Sequence, residues 1–96
     1  MESIRWSKKA IKEIDRIAEY ISKDSIHHAT NLVQRIFNLE ELIAKQPLAG
    51  RIVPEYQEPN LRELIMGSYR IIYKIISEDK IVIVTVHHGA RLLKDI

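Results

Sequence analysis

The sequence predicts an α/β (α+β) fold in which an N-terminal helical hairpin packs on a small antiparallel β-sheet, in the order β-α-α-β-β-β. Two segments with apolar residues at helical spacing come first, a loop that holds all three prolines follows, and short apolar segments separated by turns complete the chain. Because 96 residues give room for one hydrophobic core, we expect a single domain over residues 1–96.

The N-terminal half predicts a short strand followed by two helices. Residues 3–6 are extended in pattern, and Ser7 is placed to cap a helix whose apolar residues recur every three or four positions. Ser25 offers a second cap, and Pro47 ends the second helix because proline disfavours helical geometry in the residue before it. Few residues separate the helices, so we expect an antiparallel hairpin.

The C-terminal half predicts a loop and a three-stranded meander. The loop covers residues 47–60 and has no periodicity, and loops of this length on a rigid scaffold often carry function. Turn residues at 67–68 and 77–80 then separate three predicted strands, at about Leu61–Met66, Tyr69–Ile76 and Ile81–His88.

Pairing of Ile76 with Ile81 across the last turn predicts the two faces of the final hairpin, because cross-strand partners share a face. The wholly apolar face, which the helices must cover, would comprise Ile71, Tyr73, Ile75, Val82, Val84 and Val86. The mixed face, which we expect to be exposed, would comprise Arg70, Ile72, Lys74, Ile83, Thr85 and His87. A slip of one residue would bury Arg70 and Lys74, which favours the stated register.

Composition excludes several classes of function. The chain has no cysteine and therefore no disulfide, cysteine-based metal site or cysteine nucleophile. No apolar run approaches the roughly 20 residues that span a bilayer, and the N-terminus lacks the apolar core of a signal peptide, so we expect a cytoplasmic protein without membrane contact. The net charge of +2 is spread evenly, so a nucleic-acid target would be met by a few placed arginines. The three glycines stand apart, so no phosphate-binding loop and no cofactor are predicted.

Arg70 lies in a strand between aromatic and apolar residues, and two interpretations stay open. Its stem can cover apolar surface while its guanidinium forms an internal salt bridge, for example with Glu63. Alternatively, it is a fixed cation for a phosphate or a carboxylate, because a planar fork of donors suits both. Since Arg70 is assigned to the exposed face, we expect Arg70→Ala to leave the fold intact.

A ribonuclease would need a base for the ribose 2′-hydroxyl, a cation for the charge on the phosphorane and an acid for the leaving oxygen. Glu55, Arg70 and either His87 or His88 could supply these roles. The two histidines are adjacent on a strand, so their rings point to opposite faces and one metal ion cannot easily bind both. His87 lies beside Arg70, whereas His88 is expected to be a structural ring unless a bulge re-aims it. A solvated position is the commoner fate of a loop residue such as Glu55.

A binding surface is the other hypothesis for these strands. Apolar side chains ringed by charge are typical of protein-binding surfaces, and sheet edges accept an added strand. The candidate binding residues are Arg62, Arg70, Ile72, Lys74, Ile83 and Arg91.

Six short motifs follow one another along nearly the whole chain. They are Ile4-Arg5-Trp6-Ser7, Pro47-Leu48-Ala49-Gly50-Arg51, Val53-Pro54-Glu55, Leu61-Arg62-Glu63-Leu64, Tyr69-Arg70-Ile71-Ile72-Tyr73 and His88-Gly89-Ala90-Arg91. In this order and spacing they resemble the ParE/RelE superfamily of bacterial toxins, and its ParE branch most closely.

The resemblance implies the toxin of a type II toxin–antitoxin system, with a role in plasmid stabilisation and with growth inhibition when its cognate antitoxin, its partner in a hetero-oligomer, is lost. ParE-branch toxins act on DNA gyrase, whereas RelE-branch toxins cleave mRNA, usually on the ribosome. Arg70 falls where some nuclease members have a catalytic arginine, and Glu55 and His88 fall near their acid and histidine positions. The chain lacks the terminal aromatic residue and the lysine-rich loop of ribosome-dependent members. We therefore expect a gyrase inhibitor, with Arg91 and the tail contributing, and keep an mRNA endoribonuclease as the alternative.

Overall fold

The computed structural model describes residues 3–89, 91 and 93. Along the chain, a first short strand is followed by two long helices and then by the remaining strands of the sheet. In chain order the elements are β1 (Ser3–Trp6), α1 (Lys8–Ser22), α2 (Ile26–Lys45), β2 (Arg51–Ile52), β3 (Leu61–Met66), β4 (Tyr69–Ser77) and β5 (Lys80–His88).

Both helices begin at the predicted caps. The Ser7 hydroxyl oxygen accepts a hydrogen bond from the amide of Ala10 at 3.0 Å, and the Ser25 hydroxyl oxygen accepts one from the amide of His28 at 3.2 Å. Each bond satisfies an amide that the first helical turn leaves without a backbone partner. α2 ends at Lys45, close before Pro47, as the proline predicts.

The five strands form one sheet in the order β1-β5-β4-β3-β2. The predicted α/β (α+β) fold, with a helical hairpin on a small sheet, is confirmed, but the sheet is mixed because β1 pairs with β5 in parallel. The sheet has one strand more than predicted. This strand, β2, lies inside the predicted loop and pairs with β3 through Arg51 and Glu63. Two residues are too few to show a strand period, so sequence patterning missed this strand.

The predicted register of the last hairpin is correct from Arg70 to Ile72 and beside the turn, where Ser77 pairs with Lys80, and is wrong from Tyr73 to Ile75. Ile71 pairs with Val86 as predicted, but Tyr73 pairs with Ile83 because a β-bulge at Val84 shifts the register by one residue. A bulge inserts one residue into one strand of a pair and reverses the faces of the residues beyond it, here as far as a second irregularity between Ile75 and Ser77. Ile83 therefore belongs to the core against the helices, and Val82 and Val84 are only half-buried.

Side chains of α1 and its cap stabilise the bulge where β1 ends. The last residue of β1 lies opposite Ile83, so the following part of β5 has no strand on that side. The hydroxyl of Ser7 donates to the carbonyl of Val84 at 2.7 Å. The carboxylate of Glu13 accepts from the hydroxyl of Thr85 at 2.7 Å and from the amide of Val86 at 3.0 Å. These side chains satisfy backbone groups that a longer β1 would have paired.

The core occupies both faces of the sheet. Residues of both helices pack on one face, together with buried side chains of β3, β4 and β5, namely Ala10, Ile14, Ile36, Ile43, Met66, Ile71, Tyr73, Ile81, Ile83 and Val86. A smaller cluster of Val53, Leu61 and Ile72, with Leu93 packed against it, covers part of the other face. The mixed face was predicted to be exposed, and this is wrong for Ile72, Ile83 and Thr85, each of which has 0% of its surface exposed. The loop before β3 supplies the cover over Ile72, and the bulge turns Ile83 inward.

Candidate functional site

Arg70 is the centre of an ion-pair network on the face opposite the helices. Glu63 reaches one edge of its guanidinium, with Oε1 at 2.6 Å from both Nε and Nη2. Glu55 binds the other edge through two hydrogen bonds, Nη1 to Oε2 at 2.7 Å and Nη2 to Oε1 at 2.8 Å. The second oxygen of Glu63 accepts from Nε of Arg51 at 2.5 Å. Two carboxylates therefore occupy both edges of the Arg70 fork.

The network runs from the protein interior to the solvent. The side chain of Glu63 is 0% exposed, that of Arg70 12%, that of Glu55 39% and that of Arg51 63%. We expect Glu63 and Arg70 to stay paired, because a buried charge without its partners would be strongly destabilising. Glu55 and Arg51 are the members that can turn to solvent.

The Arg70 guanidinium holds the pKa of Glu55 at about 2, chiefly through their side-chain hydrogen bonds. The same hydrogen bonds raise the pKa of Arg70 above its usual high value. A carboxylate with this pKa is a weak base, since a general base works best with a pKa near the working pH. In this conformation Glu55 is suited to binding a cation and not to abstracting a proton.

We expect the Glu55 pair to make stability depend on pH in the acid range. A carboxylate whose pKa is lowered on folding stabilises the protein above its unfolded pKa, near 4.5, and this contribution disappears as the pH falls through about 2. Its size at neutral pH should be roughly 1 kcal/mol, because solvent screens a pair that is over a third exposed. Urea unfolding of the wild type and Glu55→Gln between pH 7 and pH 2 measures it.

The difference in unfolding free energy between these two proteins should stay constant from pH 7 to about 4.5 and shrink between about 4.5 and 2. Glu58→Gln is the matched control, because Glu58 is an exposed glutamate on the same loop. A difference that stays constant down to pH 2, or that Glu58→Gln reproduces, would contradict the pairing of Glu55 with Arg70.

The two histidines lie at the end of β5 and have different surroundings. His87 pairs with Arg70 across the strands, and its Nε2 lies 2.8 Å from the carbonyl oxygen of Arg91. His88 pairs with Tyr69, and the two rings meet edge to face at 5.4 Å between centroids. The structure thus makes His87 the cross-strand partner of Arg70, while His88 packs on an aromatic ring.

Comparison with known proteins identifies the family. The model of the family described as "ParE toxin of type II toxin-antitoxin system, parDE" matches residues 4–93. This chain belongs to the ParE toxin family. It is 36% identical over 88 residues to "Putative toxin Y4kP" of Sinorhizobium fredii, which covers 90% of this chain and 86% of the relative. It is 26% identical to "Toxin RelE2" of Caulobacter vibrioides over 96% of this chain and 100% of the relative.

A solved structure has the same fold. A chain of the "Chromosomal ParDE TA system from P. aeruginosa" superposes with a TM-score of 0.73 at 21% identity, covering 92% of this chain and 96% of that one. The predicted ParE/RelE resemblance is confirmed, and the protein is a toxin of the type II toxin–antitoxin class.

The candidate binding residues of this ParE-family toxin do not form one surface. Ile72 and Ile83 are buried and offer no surface to a partner in this conformation, which corrects the prediction that they are exposed anchors. Arg62 donates to the backbone carbonyls of Pro59 and Gly50, both at 2.9 Å, and so supports the loop. Lys74 and Arg91 are exposed, as predicted.

Sequence reasoning missed Arg51 and Ile65, which lie close to the Arg70 site of the ParE-family toxin. Ile65 pairs with Arg70 across the strands and is 56% exposed. The period-2 alternation of β3 places Ile65 on the face of Glu63, so this residue was open to prediction. Arg51 was not, because its position depends on a strand of two residues within a loop.

A tyrosine of β4 holds the start of the same loop. The hydroxyl of Tyr73 donates to the carbonyl of Pro47 at 2.6 Å and accepts from the amide of Gly50 at 2.9 Å. Burial raises the pKa of this hydroxyl. A Cβ at Gly50 would lie only 2.7 Å from the carbonyl oxygen of Glu63 and from the hydroxyl of Tyr73, so no larger residue fits there without a shift. The loop that carries Glu55 is therefore anchored to the core of the ParE-family toxin at its N-terminal end.

The part of the chain that the structure describes has no helix long and apolar enough to cross a bilayer. It also has no group of three or more histidine, aspartate or glutamate side chains arranged to bind a metal ion.

Proposed function

We propose that this ParE-family toxin inhibits growth by binding DNA gyrase and that a cognate antitoxin neutralises it in a hetero-oligomeric complex. The family description, a toxin of a type II system named parDE, supports an antitoxin partner. Gyrase is the target because the chain resembles the ParE branch along nearly its whole length.

The geometry of the candidate nuclease residues is the observation that supports binding over catalysis. Glu55 is committed to Arg70 by two hydrogen bonds and is a weak base. Both edges of Arg70 are occupied by carboxylates, so the guanidinium offers no open fork for a phosphorane. His88 packs edge to face on Tyr69. An mRNA endoribonuclease would have to release Glu55 from Arg70 before these residues could act.

The surface of the sheet also suits a protein partner. Ile65 and Tyr56 are exposed at 56% and 41%, and the strands β2 and β4 carry the exposed charged residues Arg51 and Lys74. Apolar side chains surrounded by charge combine burial with electrostatic complementarity when a protein binds. Ile65 and Tyr56 therefore replace Ile72 and Ile83 as the apolar anchors of the proposed surface.

Purified toxin incubated with gyrase and supercoiled plasmid, beside toxin incubated with ribosomes and mRNA, tests the target. We expect lost supercoiling activity or trapped gyrase–DNA cleavage complexes, and intact mRNA. His87→Ala and His88→Ala are the matched variants, because a gyrase inhibitor should keep its activity in both whereas the nuclease would lose its activity in one of them. Codon-phased mRNA cuts that disappear in either variant, together with unaffected gyrase, would overturn the proposal.

Co-expression with the neighbouring small open reading frame tests the antitoxin. We expect growth arrest on expression of the toxin alone, growth restored by co-expression, and co-purification of the two proteins. A chain that is harmless when expressed alone and retains no partner would contradict the proposal of an antitoxin-controlled toxin.

A further inference from the structure

The two edges of the Arg70 guanidinium differ in the carboxylate that holds them. The inner edge binds Glu63, whose side chain is fully buried and which also binds Arg51. The outer edge binds Glu55, whose side chain is 39% exposed and lies on the loop between β2 and β3. Glu55 can exchange its hydrogen bonds to Arg70 for hydrogen bonds to water at a small cost in free energy. Glu63 cannot, because its side chain has no contact with solvent.

We propose that the outer edge of Arg70 is a recognition site for an acidic side chain of a partner protein, and that Glu55 occupies this site until the partner displaces it. The identity of the partner rests on the proposed function, but the site itself stands on the geometry of the free toxin. Glu55 then acts as an internal competitor, so the toxin presents a closed site when it is alone.

The resident group shows which chemistry fits. Glu55 places both oxygens of one carboxylate on Nη1 and Nη2 at 2.7 and 2.8 Å, the bidentate geometry in which arginine and carboxylate match. Without Glu55, the cluster of Arg51, Arg70 and Glu63 carries one net positive charge, since the two cations share one buried anion. One unit of charge suits a single carboxylate better than a dianionic phosphate.

The surroundings leave room for the residue that would bring the carboxylate. A depression of about 300 Å³ adjoins Arg70, and Ile65, Gly67, Ser68 and Gly89 form part of its wall. Ile65, the cross-strand partner of Arg70, offers exposed apolar surface on the same face of the sheet. A partner segment can therefore contact apolar surface next to the charge, as interface anchors commonly do.

A carboxylate from a partner has to compete with Glu55, which is attached to the same chain as Arg70. A carboxylate on the same chain is present at a high effective concentration, so a free carboxylate competes poorly with Glu55 in the wild type. Removal of Glu55 should open the site without altering the inner edge. Its effect on the binding of a small carboxylate is therefore a direct measure of the occupancy that we propose.

Acetate is the probe, titrated into full-length ¹⁵N-labelled wild type, Glu55→Ala and Glu58→Ala, with the Nε signal of Arg70 followed by NMR. We expect the Kd of acetate at Arg70 to fall at least tenfold in Glu55→Ala relative to both other proteins. Phosphate titrated into Glu55→Ala should bind Arg70 more weakly than acetate, and sodium chloride at equal ionic strength should leave the Arg70 signal in place.

Three results would overturn the proposal. One is equal acetate binding at Arg70 in Glu55→Ala and wild type. Another is a shift confined to other arginines, which would show binding away from the site. The third is phosphate binding tighter than acetate, which would assign the site to another ligand. Thermal unfolding of Glu55→Ala checks that the variant is folded, and the assay contains neither gyrase nor antitoxin, so its failure is separate from failure of the proposed function.

Discussion

Replacing Arg70 with alanine is expected to lower the free energy of unfolding by about 3 kcal/mol, because it breaks a buried ion pair from one side. Of its two ion-pair partners among the described residues, Glu63 would keep Arg51, while its own side chain stays fully buried. Glu55 would lose the two hydrogen bonds that hold its loop. The expectation from sequence that Arg70→Ala leaves the fold intact is therefore replaced by this one.

Urea unfolding at neutral pH measures the effect, and Arg51→Ala is the matched control. Arg51 binds the other oxygen of Glu63, but its side chain is 63% exposed, so its loss should cost under about 1 kcal/mol. Equal costs for the two variants, or a loss below about 1 kcal/mol for Arg70→Ala, would mean that Glu63 does not depend on Arg70. A loss of toxicity in Arg70→Ala is informative about the target only if the unfolding data show that the protein is folded.

Replacing Ile83 with alanine is expected to cost about 2–5 kcal/mol, whereas replacing Val84 should cost about 1 kcal/mol or less. The bulge places Ile83 in the core against the helices, with none of its surface exposed, and leaves Val84 half-buried at the unpaired position. Without the bulge the order would reverse, because Val84 would face the helices. The two variants therefore test the register of the sheet at neighbouring positions.

Thermal or urea unfolding of both variants under one set of conditions is sufficient. A larger loss for Val84→Ala than for Ile83→Ala would contradict the bulge and restore the regular pairing. The unfolding free energy of Glu13→Ala, measured under the same conditions, tests how far this side chain stabilises the bulge. The variant removes the carboxylate that accepts from Thr85 and Val86 beside it.

Local features of this protein were predictable from sequence because they depend on neighbouring residues. Ser7 and Ser25 cap the helices, since a hydroxyl reaches an amide three residues ahead whatever the remainder of the chain does. The bounds of β3 follow from a short apolar segment between turn residues. The order of the elements, together with six motifs, was enough to predict the fold class and the ParE/RelE family.

The tertiary structure decided the features that depend on residues far apart in the chain. The parallel pairing of β1 with β5 leaves the second half of β5 to side chains of α1 and its cap, and the bulge at that position reverses the faces of Ile83 and Val84. Residues 53 and 93 cover Ile72, although the alternation of β4 alone assigns it to an exposed face. The sequence did not decide whether Arg70 binds an internal carboxylate or an anion from outside the chain. A strand pattern predicts the face on which a side chain lies but not the groups that approach it. In the folded protein Glu63 and Glu55 both reach Arg70, one across the sheet and one from a loop whose path no local pattern specifies.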